Sequence, residues 1–498
     1  MSSALVQALS MVLDPYTIAV MVVASLYGLF VGAVPGLSAT MAVALLVPIT
    51  FFMPPIPAIA AMVTSTAMAI FSGDIPGCLL RIPGTPASAA YTDEAFAMTR
   101  KGMAEQALGA GLVFSAIGGL FGTAVLIVAA PALADFALNF SSFEYFWLVL
   151  LGLTCAVFIT SDRPLKGLVT LLLGLLVACV GLGNPAGFPR FTFGNADMTG
   201  GIGMIPMMIG MFAISEVIRY AVDTLPPPEL VVSNVGSVLA GQWALAKKYP
   251  VQILRGSVLG TAVGALPGAG ADIAAWMSYA MSKKFSKEPE KFGTGHVEGI
   301  VESGSANNSA LAGAWIPALV FGIPGDSITA IVIGVLYMKN LNPGPTLFTT
   351  DPQNIYAVFM LFIIANIIMI PLGILCIKAS KRILLVPRNV LMPLILMFCI
   401  VGAFAINNSL FDIGVMLVAG VIAYVLEENK FPIAPAILGV VLGGMLEENF
   451  ITSMIKSDGN LMGFVSRPIA ATLAVVSVLV WTVPLIRRML RRTPQPAL

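Results

Sequence analysis

The stretch GLFVGAVPG at residues 28–36 returns as GTAVGALPG at residues 260–268, so Gly28, Gly32, Pro35 and Gly36 recur as Gly260, Gly264, Pro267 and Gly268 at a constant offset of 232. A second pair follows each copy. Pro76, Ile82, Pro83 and Gly84 of IPGCLLRIPG align with Pro317, Ile323, Pro324 and Gly325 of IPALVFGIPG at offset 241. The nine-residue difference falls in a region that includes the charged loop SKKFSKEPEKFG. Chance rarely keeps so many Gly and Pro residues in register, and the chain reads as two related halves.

The surroundings of these motifs are apolar. Of 498 residues, 58% are hydrophobic and 10% charged, with a mean hydropathy of +0.94. A soluble chain carries about 25% charged residues, so this composition specifies an integral membrane protein. A net charge of +1 offers no basic stripe for nucleic acid, and one histidine, His296, cannot build a multi-histidine metal site. The five cysteines are scattered through apolar runs without a CxxC pair and read as small buried hydrophobes. MSSALVQALSMVLDPYT has no Lys or Arg before its apolar stretch, unlike a secretory signal.

A crossing needs about 20 apolar residues. The spacing predicts crossings at 58–90 (interrupted), 106–130, 144–160, 166–183, 200–222, 305–338 (interrupted), 354–377, 388–405, 411–426, 432–447 and 468–486. Two further runs, 18–51 and 251–282, are broken by Pro-Gly into arms of roughly 16 residues, or ~24 Å, too short to span. They are expected to be re-entrant hairpins, whose tips are tolerated only against protein or water. With this scheme 21 of the 26 Lys and Arg lie on one side, which sets the N-terminus outside and the C-terminus inside. The expected organisation is a first membrane repeat over 1–222, a cytoplasmic linker over 223–250, a second repeat over 251–450, and a C-terminal helix and basic tail over 451–498. Five crossings per half is an odd number, so the second repeat is inverted. Inverted repeats with discontinuous helices are the architecture of secondary transporters, with the site near the midplane, and suit an elevator-like or rocking alternation.

Pro-Gly in a membrane helix frees amides, which favour anions, and carbonyls, which favour cations. A lone Pro-Gly is more often a kink; four in two repeated pairs point to a site. Candidate substrate-binding residues are Pro35, Gly36, Ser38, Thr40, Arg81, Gly84, Thr85 and Ser88 in the first half, and Pro267, Gly268, Gly270, Asn307, Asn308, Gly325, Ser327 and Thr329 in the second. Candidate coupling-ion residues are Thr64, Ser65, Thr66, Asp74, Asp272, Ser309 and Asp326, with Na+ as a possible coupling cation and no other metal or cofactor implied. The plainer reading of the polar residues is helix–helix hydrogen bonding. Asp74 and Arg81, seven apart, share a helix face if the segment stays helical: they either neutralise each other or leave Arg81 as an anion anchor. Asp272 and Asp326 have no near cation in sequence and serve either as ion carriers or as helix caps. The outer loop GFPRFTFGNADMTGG, with Arg190, suits a docking surface or an ordinary loop, and the pairs Glu427, Glu428 and Glu447, Glu448 read as solvated span ends. Two rivals are an intramembrane aspartyl hydrolase using Asp74 and Asp326, which requires their carboxyls to meet, and a passive anion channel.

The ordered motifs GLFVGAVPG, LLRIPGTPASA, GLGNPAGFPRFTFG with MIGMFAISEVI, GALPGAGADIA, SANNSALAG with FGIPGDSITA, NLNPGPTLF, and GGMLEENFITS with SRPIA span nearly the whole chain. In that order they resemble the large membrane subunit of the tripartite tricarboxylate transporter family of bacteria. The resemblance implies import of a tri- or dicarboxylate across the inner membrane on an ion gradient. It also implies two partners: a small four-helix membrane subunit and a periplasmic solute-binding protein. In the family pattern Asn is usual where Arg81 stands, and small Ser-like residues where Asp74 and Asp326 stand. Gly304 replaces a common Glu and Asn184 a usual Asp, so the charge pattern of the site has shifted and citrate does not follow from the resemblance.

Overall fold

The computed structural model describes residues 2–35, 37–159, 164–183, 187–222, 237–384 and 388–490. Among them the chain is all-helical, with no β-strand and one isolated β-bridge between Gly181 and Arg190. In hydrocarbon a helix satisfies its own backbone, and eight of these helices are long and apolar enough to cross a membrane.

Two compact units divide the chain differently from the two expected repeats, since each draws segments from both halves. Unit 1 comprises Met1–Asp135 and Gly203–Asn429; unit 2 comprises Phe136–Ile202 and Lys430–Leu498. Unit 1 begins with α1 (Ser2–Val12), α2 (Pro15–Ala33), α3 (Ala39–Phe51), α4 (Pro55–Ser72), α5 (Asp74–Leu80), α6 (Thr92–Arg100) and α7 (Ala104–Ala137), which runs to the unit boundary. Unit 2 then contributes α8 (Ser142–Ile159) and α9 (Pro164–Ala178). Unit 1 resumes with α10 (Met204–Ile209), joined through a π turn at Gly210–Ile214 to α11 (Ser215–Val222), and then α12 (Gln242–Lys248), α13 (Pro250–Gly264), α14 (Gly270–Phe285), α15 (Val297–Phe321) and α16 (Ser327–Met338). It closes with α17 (Leu347–Thr350), α18 (Pro352–Ile383), α19 (Arg388–Asn407) and α20 (Leu410–Glu428). Unit 2 ends with α21 (Ala434–Lys456) and α22 (Pro468–Leu490).

Several boundaries differ from the sequence expectation, for local reasons. Helix α2 has 19 residues rather than about 16 and reaches crossing length. Asp14 caps it, accepting from the Tyr16 and Thr17 amides at 3.0 and 3.3 Å, and Pro15 supplies a preset φ, so it starts before the apolar run. Helix α15 starts at Val297, eight residues ahead of the predicted 305, because Glu298 and Glu302 are buried with partners. The expected linker contains α12, whose Gln242 sits against Gly109 of α7; residues 223–236 lie outside the described residues. The N-terminal α1 was not expected.

The centre of unit 1 is formed by α4–α5 and α15. The α4–α5 segment is buried from Ile56 to Leu80, and α15 from Glu298 to Phe321. Close approach comes from glycine, as in other membrane bundles. A Cβ on Gly118 of α7 would lie 2.0 Å from the Ser305 carbonyl oxygen of α15, and one on Gly122 would lie 2.7 Å from that of Ser309. In unit 2, Gly174 of α9 packs on the Ala436 carbonyl of α21 in the same way. Arg190 makes a bidentate pair with Glu447 at 2.7 Å, and these hydrogen bonds hold the guanidinium above its usual range. Arg467 pairs with Glu144 at 3.1 Å. Span ends are therefore partly ion-paired rather than merely solvated: in unit 1, Arg219 reaches Glu427 at 2.7 Å and Glu216 at 2.5 Å.

Candidate functional site

Each hairpin packs on the interrupted helix that follows it, through the repeated glycines. Without a side chain, Gly28 and Gly32 let α2 touch α4: a Cβ on either would come within 2.3 Å of the Ser65 or Ala69 carbonyl oxygen. Gly260 and Gly264 do the same between α13 and α15, where the equivalent distances are 2.3 Å to the Ala306 and 2.2 Å to the Ala310 carbonyl oxygens. The glycines are related by the offset of 232 and their contacts by 241, so both sequence offsets describe one packing arrangement used twice.

The breaks are built alike too. Helix α5 ends at Arg81 in the left-handed region (φ 60°), its N–H bonding the Gly77 and Pro76 carbonyls. Helix α15 ends at Gly322 (φ 67°), bonding Ala318 and Pro317. Pro83 and Pro324 then keep the preceding residue from helix. Gly84 lies on the Gly32 carbonyl and Gly325 on that of Gly264, where a Cβ would be 2.7 and 2.5 Å away. Each break thus rests on its own hairpin. The halves also interlock: α3 packs on α16, and α14 on the turn at Ser88–Ala90. At the centre the Asn308 amide donates to the Ala67 carbonyl at 3.4 Å. Ala67 and Asn308 are themselves 241 apart, so the two interrupted helices meet at equivalent residues.

Around this frame the structure gathers some candidate residues and disperses others. Arg81 does not meet Asp74. The left-handed turn swings it outward to Asp93 at 2.9 Å, with side chains 63% and 68% exposed. Asp74 is buried, accepting from the Tyr91 hydroxyl at 2.6 Å, and the Asn307 amide donates to that hydroxyl oxygen at 3.4 Å. Buried Asp74 Oδ2, Asn307 Oδ1 and Asn308 Oδ1 have no hydrogen-bond partner among the described residues. Asp326 caps α16 in a reciprocal box with Thr329: its Oδ1 accepts from the Thr329 amide and hydroxyl at 2.7 Å each. Gly270 (φ 59°) of the second hairpin lies against the Asp326 side chain. Asp272, exposed, faces Asp326 and takes a hydrogen bond from the Ala87 backbone. The exposed Trp276 donates to the Pro86 carbonyl at 3.2 Å, so the start of α14 is pinned to the turn after the first break.

Thr85 and Ser88 close that turn on each other, each amide donating to the other's hydroxyl at 3.2 Å. Ser38 caps α3 through the Met41 amide at 3.1 Å. Thr64, Ser65, Thr66 and Ser309 donate to carbonyls of their own helices, which leaves only hydroxyl lone pairs for any other use. Pro35 is buried, Pro267 half-buried, and Thr40 and Ser327 half-buried at the starts of α3 and α16. Gly268 (φ 83°) adopts a turn that favours glycine. Gly36 and Asn184 lie outside the described residues.

Buried, partnered polar residues that sequence reasoning passed over are Tyr91, Glu94 and the pair Arg255–Glu302. Glu94 is fully buried; it accepts from the Tyr279 hydroxyl at 2.8 Å and from the backbone amides of Gly293, Gly295 and His296. Glu302 is likewise fully buried, with Arg255 on it at 2.6 and 2.5 Å. These residues sit in stretches that read as polar loops or hairpin arms, and only the pairing reveals them.

The tripartite tricarboxylate transporter TctA family model matches residues 18–438. A 52.8 kDa uncharacterized protein in the TAR-I ttuC' 3'region of Agrobacterium vitis is 34% identical over 466 residues, covering 94% of this chain and 92% of the relative. An uncharacterized protein in the TAR-II ttuC' 3'region of the same organism is 36% identical over 231 residues, 46% of this chain and 96% of that one. No solved structure matches. With a matching model over most of its length and apolar helices that cross many times, the chain is a multi-pass membrane protein and belongs to the tripartite tricarboxylate transporter TctA family.

Proposed function

We propose that this protein is the translocating membrane subunit of a secondary active importer for a tri- or dicarboxylate, driven by a Na+ or H+ gradient. It sits in the bacterial inner membrane with its N-terminus periplasmic and C-terminus cytoplasmic. It works with a small four-helix membrane subunit and a periplasmic solute-binding protein. The two halves form inverted repeats, each a helical hairpin, an interrupted helix and four ordinary crossings. The observation that carries this reading is the duplicated clamp in which Gly84 rests on Gly32 and Gly325 on Gly264. Contact of the interrupted helices at the equivalent residues Ala67 and Asn308 supports a two-fold relation between the halves.

The substrate site lies between the breaks and hairpin tips, with Asn307, Asn308, Thr85, Ser88 and the Ser38–Thr40 start of α3 as its polar lining. Asp272 and Asp326, already at the starts of α14 and α16, occupy the positive ends of two half-helices and suit a cation rather than a second anion. An aspartyl hydrolase gains no support, because Asp74 bonds Tyr91 whereas Asp326 bonds Thr329 and faces Asp272.

The test is uptake of labelled citrate, malate and succinate into vesicles holding this protein and its candidate partners, with Na+ and pH gradients imposed separately. Accumulation under one gradient supports the importer. Accumulation of none, with folded protein, overturns it. Asn307→Ala or Asn308→Ala lowers uptake without changing membrane insertion; normal transport by both removes these residues from the site.

A further inference from the structure

Resting on that reading, we infer that the coupling ion is a proton carried by Asp74, which binds it together with the carboxylate substrate through Tyr91 and Asn307. Asp74 is 5% exposed in the centre of unit 1. Its Oδ1 is used by the Tyr91 hydroxyl at 2.6 Å, and its Oδ2 is buried with no hydrogen-bond partner among the described residues. That oxygen faces the backbone of α7 at Gly111, where a Cβ would be 2.7 Å away. A hard cation needs several oxygens converging on one point; here one carboxylate oxygen faces a glycine Cα. A proton needs only the lone pair.

Among the described residues no positive charge compensates the carboxylate. Arg81, seven residues on, is turned out to Asp93. The titratable groups facing Asp74 are Tyr91 and, on its own helix, Cys78, whose sulfur lies 3.0 Å from the Thr99 hydroxyl. The charges on neighbouring elements are committed elsewhere: Glu94 to the backbone of residues 293–296, Glu302 to Arg255. A buried ionised carboxylate in this setting is costly, and a proton on Oδ2 removes the charge.

The link to substrate is the chain Asp74–Tyr91–Asn307, at 2.6 and 3.4 Å: the Asn307 amide nitrogen gives one N–H to the Tyr91 oxygen and keeps a second with which to donate to a carboxylate. A negative charge at Asp74 opposes an anion beside Asn307, and a proton taken from water lifts that opposition. By linkage the anion raises proton affinity by the same factor, typically about 5- to 150-fold. The proton then leaves from Oδ2 to water on the opposite side when the substrate is released.

The experiment is calorimetric titration of the purified full-length protein with citrate, malate and succinate. It is run across pH in two buffers of different ionisation enthalpy, and paired with uptake under a pH gradient. Wild type takes up about one proton per carboxylate bound, and its Kd rises up to about tenfold per pH unit in the alkaline range. Asp74→Asn loses both effects together with accumulation on the pH gradient. Tyr91→Phe, which keeps the ring, deprives the carboxylate of its donor and moves the pH at which proton uptake fades upward by about one to two units. An unchanged proton count in Asp74→Asn, an unmoved midpoint in Tyr91→Phe, or wild-type binding without proton uptake overturns the proton assignment alone. Wild type that binds none of the three probes at any pH overturns the importer reading, and this inference with it.

Discussion

Replacing Gly264 by Ala tests the clamp that both halves share. The new Cβ would stand 2.2 Å from the Ala310 carbonyl oxygen and 2.7 Å from its Cα, where ordinary contact begins at 3.4 Å. Helix α13 must therefore retreat by 1.2 Å at that turn, the difference between 3.4 and 2.2 Å. Both obstructing atoms are backbone of a buried 25-residue helix, so no side chain can rotate away. Overpacking of this kind costs about 1–3 kcal/mol. The usual gain of up to ~1 kcal/mol for Gly→Ala in a helix is smaller here, because Gly264 is the last residue of α13. The retreat also withdraws the carbonyl on which Gly325 rests, so uptake falls further than stability. Gly32→Ala meets the Ala69 carbonyl oxygen and Ser72 Oγ, both at 2.3 Å, and should behave the same way. Gly414→Ala on α20 meets nothing within 4 Å and should gain up to ~1 kcal/mol. Thermal unfolding of detergent-solubilised protein, followed by tryptophan fluorescence, separates the three. If Gly264→Ala melts with or above Gly414→Ala, the backbone contact does not exist as described.

Three other perturbations follow from the pairings. Arg255→Met strands the fully buried Glu302 and should destabilise by about 3–5 kcal/mol, whereas Arg255→Met with Glu302→Gln recovers most of the loss; equal melting of single and double variants would refute the pairing. Arg81→Gly loses an exposed ion pair worth about 0.2–1 kcal/mol but relieves a left-handed backbone costing roughly 1–2 kcal/mol, so stability should hold or rise. Uptake should also persist, and its abolition in a stable protein would restore Arg81 as an anion anchor. Glu94→Gln removes the charge on which three loop amides converge, and amide exchange at Gly295 and His296 should quicken by about tenfold or more, for a loss near 1.5 kcal/mol per charged hydrogen bond; unchanged exchange would show that the loop is held by other contacts.

Much of this architecture is visible in the residues before any coordinates. The apolar runs, the charge asymmetry and the Pro-Gly pairs are local or additive properties of the chain, which is why most of the predicted crossings appear as helices close to the expected positions. The same holds for the duplicated glycines, since a residue without a side chain is required wherever two backbones come within van der Waals contact. Misjudged boundaries trace to capping at α2, which Asp14 and Pro15 lengthen, and to paired buried acids at the start of α15, neither of which registers in hydropathy.

The arrangement of charges was beyond reach of the sequence. Spacing put Arg81 on the Asp74 face, but one residue at φ 60° turned it outward, because helix periodicity ends where the helix does. Tyr91 reached Asp74 across a break, Glu94 found amides about two hundred residues away, and Asn308 met Ala67 at the centre. Composition and spacing along the chain were enough to specify a membrane helix protein whose Pro-Gly motifs come in two matching pairs, since hydrocarbon enforces helices and close backbone contact enforces glycine. Whether a buried carboxylate faces an arginine, as Glu302 does, backbone amides, as Glu94 does, or a tyrosine hydroxyl, as Asp74 does, came from the tertiary fold, because compensation depends on three-dimensional neighbours that spacing along the chain does not encode.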